Sequence, residues 1–235
     1  MQAIDAMAPS IAPHPEVEEA QIVGTQSHTA QTLSGDQSLV LPEFDQPPTD
    51  PLELLGRWIR SAEDRGVREP RAATLATTDG RTVSSRTILV KDVADGRILF
   101  GTQLGSRKGH DLGRVPHASL TFYWRETLQQ LNVSGPVSRL SDEESDVLFA
   151  GRTREAQAAA SVSEQTQPLA DETVLRRGVE AVLETPHDIA RPAGWAGFAL
   201  VPEHLEFWHG RADRMHRRLA YARSSAGWRA ERLQP

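Results

Sequence analysis

The chain has 235 residues, a net charge of −6 and a hydrophobic fraction of 38%, the make-up of one globular domain with appendages. It has no cysteine, which excludes disulfides and thiolate chemistry. It also has no apolar run near the roughly 18 residues that a membrane helix needs. The charge is uneven. Residues 1–47 hold Asp5, Glu16, Glu18, Glu19, Asp36, Glu43 and Asp45 but no Lys or Arg, so the remainder is close to neutral. A neutral body under an acidic tail argues against nucleic acid as the main partner. Residues 1–47 are polar, contain Pro, Gln and Ser, and show no helical or strand period. They read as a disordered acidic tail, with parts able to drape over the body, and 48–235 as a single folded domain. The start lacks the basic and apolar segments of a secretory signal, so a cytoplasmic location is the expectation.

The folded part opens on a helix over 48–66. Asp50 caps it, Pro51 takes its first position, and Leu52, Leu55, Ile59 and Ala62 recur at helical spacing. Residues 71–78, 82–90 and 97–102 read as three strands in a row, joined at Asp79-Gly80 and Asp95-Gly96 into an antiparallel meander. Ser106 is placed to cap a short helix ending before Pro116. Strands follow over 118–124 and 128–140, the second bent or bulged at Gly135-Pro136. Ser141 and Glu144 form a capping box at the head of a helical stretch to residue 160, which Gly151 divides. A helix over 168–185 carries Leu169, Val174, Val179, Val182 and Leu183 for an inner face. Strands over 195–202, 204–209, 217–223 and 228–233 complete about eight, a mainly β, closed or nearly closed antiparallel barrel with inserted helices.

The most informative stretch is 84–110. The chain's only two lysines, Lys91 and Lys108, lie here with Arg86 and Arg107. Cations in the first turn of a helix oppose its dipole. They are favourable if that end holds an anion, on which the free N–H groups and the side chains converge. A solvated basic turn is the plainer reading. A second basic group, Arg211 to Arg218, follows the aromatic strand Glu206-Phe207-Trp208. If extended, it would put Arg214, His216 and Arg218 on one face, as a solvated surface or a site for a planar anion. There is no metal signature, phosphate loop, dinucleotide fingerprint or nucleophile elbow.

The ordered segments Arg86-Thr-Ile-Leu-Val-Lys91, Gly105-Ser-Arg107-Lys108, Gln129-Gln130, Glu206-Phe-Trp208, Arg214-Met-His216-Arg-Arg218 and Arg232-Leu-Gln-Pro235 resemble the pyridoxamine 5′-phosphate oxidase family over about residues 50–235. Arg68-Glu-Pro-Arg71 and Tyr123-Trp-Arg-Glu-Thr127 look most like its phenazine-biosynthesis branch. The resemblance implies a split-barrel homodimer with FMN at the subunit interface. It places Arg86, Thr87, Ile88, Leu89, Val90 and Lys91 along the flavin, and Gly101, Thr102, Ser106, Arg107 and Lys108 on its phosphate and ribityl chain. Gln130, Gln165, Thr166, Trp208 and Arg218 fill the remaining cofactor positions, some from the partner subunit. Substrate positions are Lys91, Arg152, Arg214 and His216, the last two also catalytic, and no metal is implied. The family's phosphate-binding Tyr and Ser are replaced by Leu148 and Ala156, which argues against vitamin B6 phosphates. The expected activity is dioxygen-dependent dehydrogenation of a reduced phenazine carboxylic acid. A pyridoxamine 5′-phosphate oxidase and a non-catalytic flavin-binding protein are the alternatives.

Overall fold

The computed structural model describes residues 34–235. Local signals set the helices. In α1 (Pro51–Asp64) the Asp50 carboxylate accepts the Leu52 N–H at 2.8 Å, and Leu54, Leu55, Trp58, Ile59 and Ala62 are buried. In α3 (Asp142–Ala150) the Ser141–Glu144 capping box is formed as expected, and Gly151 separates it from α4 (Arg154–Val162). The other helices are α2 (Arg107–Arg114) and α5 (Glu172–Leu183).

The strands are β1 (Ala72–Thr78), β2 (Val83–Leu89), β3 (Asp92–Ala94), β4 (Arg97–Gln103), β5 (His117–Trp124), β6 (Gln129–Arg139), β7 (Trp195–Leu200), β8 (His204–His209), β9 (Arg217–Ser224) and β10 (Gly227–Leu233). All pairings are antiparallel, and the main path runs β10-β9-β8-β6-β5-β1-β2. The pivot is β6. Its first part, Gln129 to Ser134, pairs with β8, whereas Val137 to Arg139 pair with β7, which continues to β4 and β3. The bend expected at Gly135-Pro136 is where the partner changes. A Cβ on Gly135 would stand 2.0 Å from the Val201 carbonyl oxygen, so only glycine lets the two backbones approach this closely. The curled sheet is a split β-barrel, mainly β with helices. Trp58 sits at the centre of its core, with its ring 6.2, 6.1 and 4.9 Å from those of Phe44, Trp124 and Phe207.

Three expectations are corrected. The meander is broken: among the described residues β2 pairs with β1 alone, and the Asp95-Gly96 turn joins β4 to the short β3. Both turn residues have positive φ, 51° and 74°, as a tight hairpin of this hand requires. The switch falls at Val90 and Lys91, whose N–H groups donate to Arg71 and Leu99 respectively, on different parts of the sheet. Second, α5 buries none of its residues, and Leu169 and Val174 are exposed. Its apolar stripe, half-buried at Leu175, Val179, Val182 and Leu183, packs on α4, where a Cβ on Gly178 would stand 2.7 Å from Val162 Cγ1.

Third, the tail expected over 1–47 lies outside the described residues only as far as 33. Its later part packs on the body. Phe44 is 1% exposed, the Trp58 indole N–H donates to Glu43, and the Arg217 and Arg232 guanidinium groups lie 4.7 and 5.6 Å from the Phe44 ring centroid. The physical reason is a single aromatic anchor in a polar segment. Phe44→Ala should therefore destabilise the protein by about 3 kcal/mol, lowering Tm by roughly 6–12 °C for a domain of this size. A change in thermal unfolding of less than about 0.5 kcal/mol, as expected for a surface tail, would contradict the packing.

Candidate functional site

A cavity of about 620 Å³ lies where β2, β4, the head of α2 and the α3–α4 region meet. Arg86, Thr87, Ile88, Leu89, Lys91, Gly101, Thr102, Lys108, Arg152, Ala156 and Gln165 line it, bringing together most of the cofactor and substrate positions implied by the sequence. β2 is the free edge of its sheet among the described residues. β4 contributes Gly101, over which the Trp195 indole lies so closely that a Cβ would sit 2.2 Å from it. Glycine there lets the indole form part of the wall.

The electrostatics are one-sided. Lys108, in the first turn of α2, is only 6% exposed. Its ammonium donates to Gln165 Oε1 at 2.8 Å and Ser106 Oγ at 3.4 Å, two neutral acceptors. Burial, with the Arg86 cation adding to it, pulls its pKa down to about 8. Burial likewise lowers Arg86, with Asp111 opposing it, and the Arg107 charge adds to the effect of burial. Arg86 donates to the Leu75 carbonyl, Thr77 and Ser84, and those two hydroxyls donate in turn to Asp111. Lys91 is lowered by burial and then by Arg152, and Arg152 by burial. Arg152 donates to the Ala156 carbonyl and lies 5.8 and 5.4 Å from the ring centroids of Phe149 and Trp195, with its Nε buried and unpartnered. Among the described residues, none of these four cations has a carboxylate within ion-pair distance. Charges held out of water without partners are costly unless a ligand neutralises them. They form two mutually repelling pairs, Arg86 with Lys108 and Lys91 with Arg152, and so suit two anionic groups.

Other implied residues lie elsewhere. Val90 faces the core at 1% exposure, continuing the inward parity of Ser84, Arg86 and Ile88. Ser106 is buried as the cap of α2 and accepts the Gly109 N–H. Arg107 lies beside the cavity: its backbone N–H donates to Thr166 Oγ1 at 3.2 Å and its side chain to Thr82. Leu148 does not line the cavity but packs towards Gly197, where a Cβ would be 2.9 Å from its Cδ1.

Gln130, Trp208, Arg214, His216 and Arg218 form a separate group. Gln130 pairs with Trp208, and Trp208 with Arg218, across β6, β8 and β9. The Trp208 and His216 rings are 4.9 Å apart. Arg218 is held bidentate by Glu206 at 2.7 and 3.0 Å, which raises its pKa. Arg214 sits in the turn before β9 with φ of 65°, so Arg214, His216 and Arg218 do not share one strand face. None of this group lines the cavity.

Ala159 and Ala160, which the resemblance implies leave room beside the substrate, line the cavity, and so do Gln103, Ser163 and Trp195, which escape the sequence reading. Gln103 could be found by parity, since on β4 it shares the half-exposed face of Gly101. The others depend on how α4 docks, which no local pattern reports.

The family model described as pyridoxamine 5′-phosphate oxidase matches residues 60–185, and that described as pyridoxine 5′-phosphate oxidase C-terminal dimerisation region matches 195–235. Dihydrophenazinedicarboxylate synthase of Pseudomonas chlororaphis is 38% identical over 207 residues, 88% of this chain and 93% of that one. Pyridoxine/pyridoxamine 5′-phosphate oxidase of Rubrobacter xylanophilus is 41% identical over 196 residues, 81% of this chain and 89% of that one. The crystal structure of PhzG from Burkholderia lata 383 in complex with tetrahydrophenazine-1-carboxylic acid superposes with a TM-score of 0.81 at 39% identity, covering 84% of this chain and 98% of that one.

The buried ammonium has a consequence for stability. The folded pKa of Lys108, about 8, lies below the ordinary 10.5, so the unfolded chain holds more protons between those values. Its penalty is therefore absent above about pH 10.5 and fully present below about 8. Lys108→Met should raise the stability of the ligand-free protein at pH 7 by about 1–2 kcal/mol. It should also remove a rise in stability with pH between 8 and 10.5. Thermal unfolding of both proteins across that range checks this, and a variant less stable than the parent would show that the ammonium is satisfied where it lies.

Proposed function

The chain belongs to the pyridoxamine 5′-phosphate oxidase family, and from that premise we propose that it is a flavin-dependent oxidase. It uses FMN to dehydrogenate reduced phenazine carboxylic acids, with dioxygen as acceptor. The observation that carries the reading is the cavity with two pairs of cations, of which only Arg86 feels a carboxylate, Asp111. FMN brings a dianionic phosphate and the substrate a carboxylate, one for each pair. The carboxylated phenazine held by the Burkholderia protein supports the substrate class.

Lys108, Thr102, Arg107, Gln165 and Thr166 would hold the phosphate at the head of α2, where free N–H groups and cations converge. Arg86 to Leu89 and Gly101 would run along the ring. Lys91 and Arg152 would take the substrate carboxylate, Arg152 offering the Nε that has no partner among the described residues. Ala156, Ala159 and Ala160 keep that wall low and apolar, leaving width for a fused-ring substrate and excluding water.

Gln130, Trp208, Arg214, His216 and Arg218 would reach the ligand from a second copy. Supporting this, they lie off the cavity, and four of the five fall in the stretch matched to a dimerisation region. Bound FMN would supply the hydride-accepting ring and the route of electrons to dioxygen. The protein's share is placement, charge stabilisation by Arg214 and Arg218, and a proton acceptor at His216. Aromatisation of the product makes a strong base unnecessary.

The purified protein should be yellow or bind added FMN. Its kcat/KM for a dihydrophenazine carboxylate should exceed that for pyridoxine 5′-phosphate by about tenfold or more, since Ala156 in the cavity wall offers a phosphate no side-chain donor. A preference for pyridoxine 5′-phosphate would move the assignment to the vitamin B6 branch, and no FMN binding would remove it altogether. Arg214→Ala should lower kcat about 10–100-fold while FMN retention stays within about threefold. Equal loss of both would count against a role in the reaction.

A further inference from the structure

Gln103 stands at the end of β4, in register with Trp195 of β7. Its side-chain amide is used on both sides. Nε2 donates to the carbonyls of Ala160 at 3.1 Å and Ser163 at 2.6 Å, and Oε1 accepts the Gln165 N–H at 2.7 Å. One side chain therefore ties the C-terminal end of α4, where the last carbonyls lack helical partners, to the turn that follows. Two acceptors of that turn rest on the anion-seeking groups of the cavity. Gln165 Oε1 takes the Lys108 ammonium and, at 3.3 Å, the Thr102 hydroxyl. Thr166 Oγ1 takes the Arg107 N–H, a first-turn donor of α2. Thr166 holds a φ of 83°, a conformation unfavourable for a β-branched residue unless its surroundings impose it. The neighbours of Gln103 do not grip the backbone of the turn. Thr102 reaches the Gln165 side chain. The Leu104 N–H donates to the Gly194 carbonyl at 2.7 Å, which ties β4 to the segment before β7 and leaves the 163–166 turn to Gln103.

We propose that Gln103 is a positioning residue for the phosphate end of the site: it holds the 163–166 turn so that Gln165 and Thr166 stand ready beside Lys108 and the head of α2. The inference rests on the FMN reading and goes beyond it, because Gln103 itself touches none of the charged groups. With FMN bound, the Gln165 side-chain amide and the Thr166 hydroxyl would be the groups of this turn offered to the phosphate. The ordering of the turn has by then been met within the free protein, which raises affinity.

The test compares FMN with riboflavin, which lacks the phosphate, by flavin-fluorescence titration of the full-length protein freed of flavin. Gln103→Met keeps the bulk of the side chain and removes its hydrogen bonds to Ala160, Ser163 and Gln165. It should weaken FMN binding about tenfold or more, a loss of about 1.4 kcal/mol, and leave riboflavin affinity within about twofold. If FMN and riboflavin weaken alike, or FMN binds as well or better, the proposal is overturned. Should Gln103→Met not fold, Gln103→Glu retains the acceptor for the Gln165 N–H but not the donors to Ala160 and Ser163, and must show the same FMN-selective loss. A parent protein that binds neither flavin overturns the cofactor reading and this inference with it. A parent that binds FMN beside variants that bind it equally well overturns this inference alone.

Discussion

The ammonium of Lys108, buried at the head of α2 with no carboxylate beside it among the described residues, is the constraint around which this site is arranged. A charge in that position is unfavourable twice, through lost hydration and through the positive end of the helix dipole. The chain does not relieve it with an acid. It surrounds the ammonium with neutral oxygens from Ser106 and Gln165, and places Arg86 close enough to lower its pKa further. Lys91 and Arg152 repeat the pattern in the same cavity. Lys108, Lys91 and Arg152 thus stand in one pocket with no acid acting on them, the signature of a surface shaped for anionic ligands rather than for its own rest state.

The sheet makes this arrangement possible. By bending at Gly135 and passing from β8 to β7, β6 divides the barrel into two parts. The cavity lies between β4 of one part and β2 of the other, and the Trp208–His216 group lies on β8 and the turn that follows it. Among the described residues, the outer edge of β2 remains unpaired along the cavity. The match of the C-terminal stretch to a dimerisation region implies that the protomer's partner is a second copy.

What the sequence makes legible follows the range of each interaction. The caps at Asp50, Ser106 and Ser141, the glycine breaks and the strand parities depend on a few neighbours and are in place. The cation cluster is visible because Arg86, Lys91, Arg107 and Lys108 fall within one short stretch. Long-range features are not. β3 is three residues long, too short a pattern to show that the chain changes partner after Val90. Helical period marks a stripe on α5 but does not say whether anything meets it. Phe44, one aromatic in a polar run, gives no period at all. Gln103 acquires its partners only because α4 docks against β4, a contact between residues some sixty positions apart.

Subunit complementation tests the account's central claim, that each site joins the cation cavity of one chain to the Trp208–Arg218 group of another. Lys108→Met disables the first half and Arg218→Met the second, so neither protein should bind FMN alone. Unfolded together and refolded, they pair at random, and a mixed dimer carries one site with both halves intact. The account predicts that FMN binding returns to about a quarter of all sites, as isologous pairing requires. A mixture that binds no more FMN than its separate components would show that the two groups do not meet across an interface, and would contradict it.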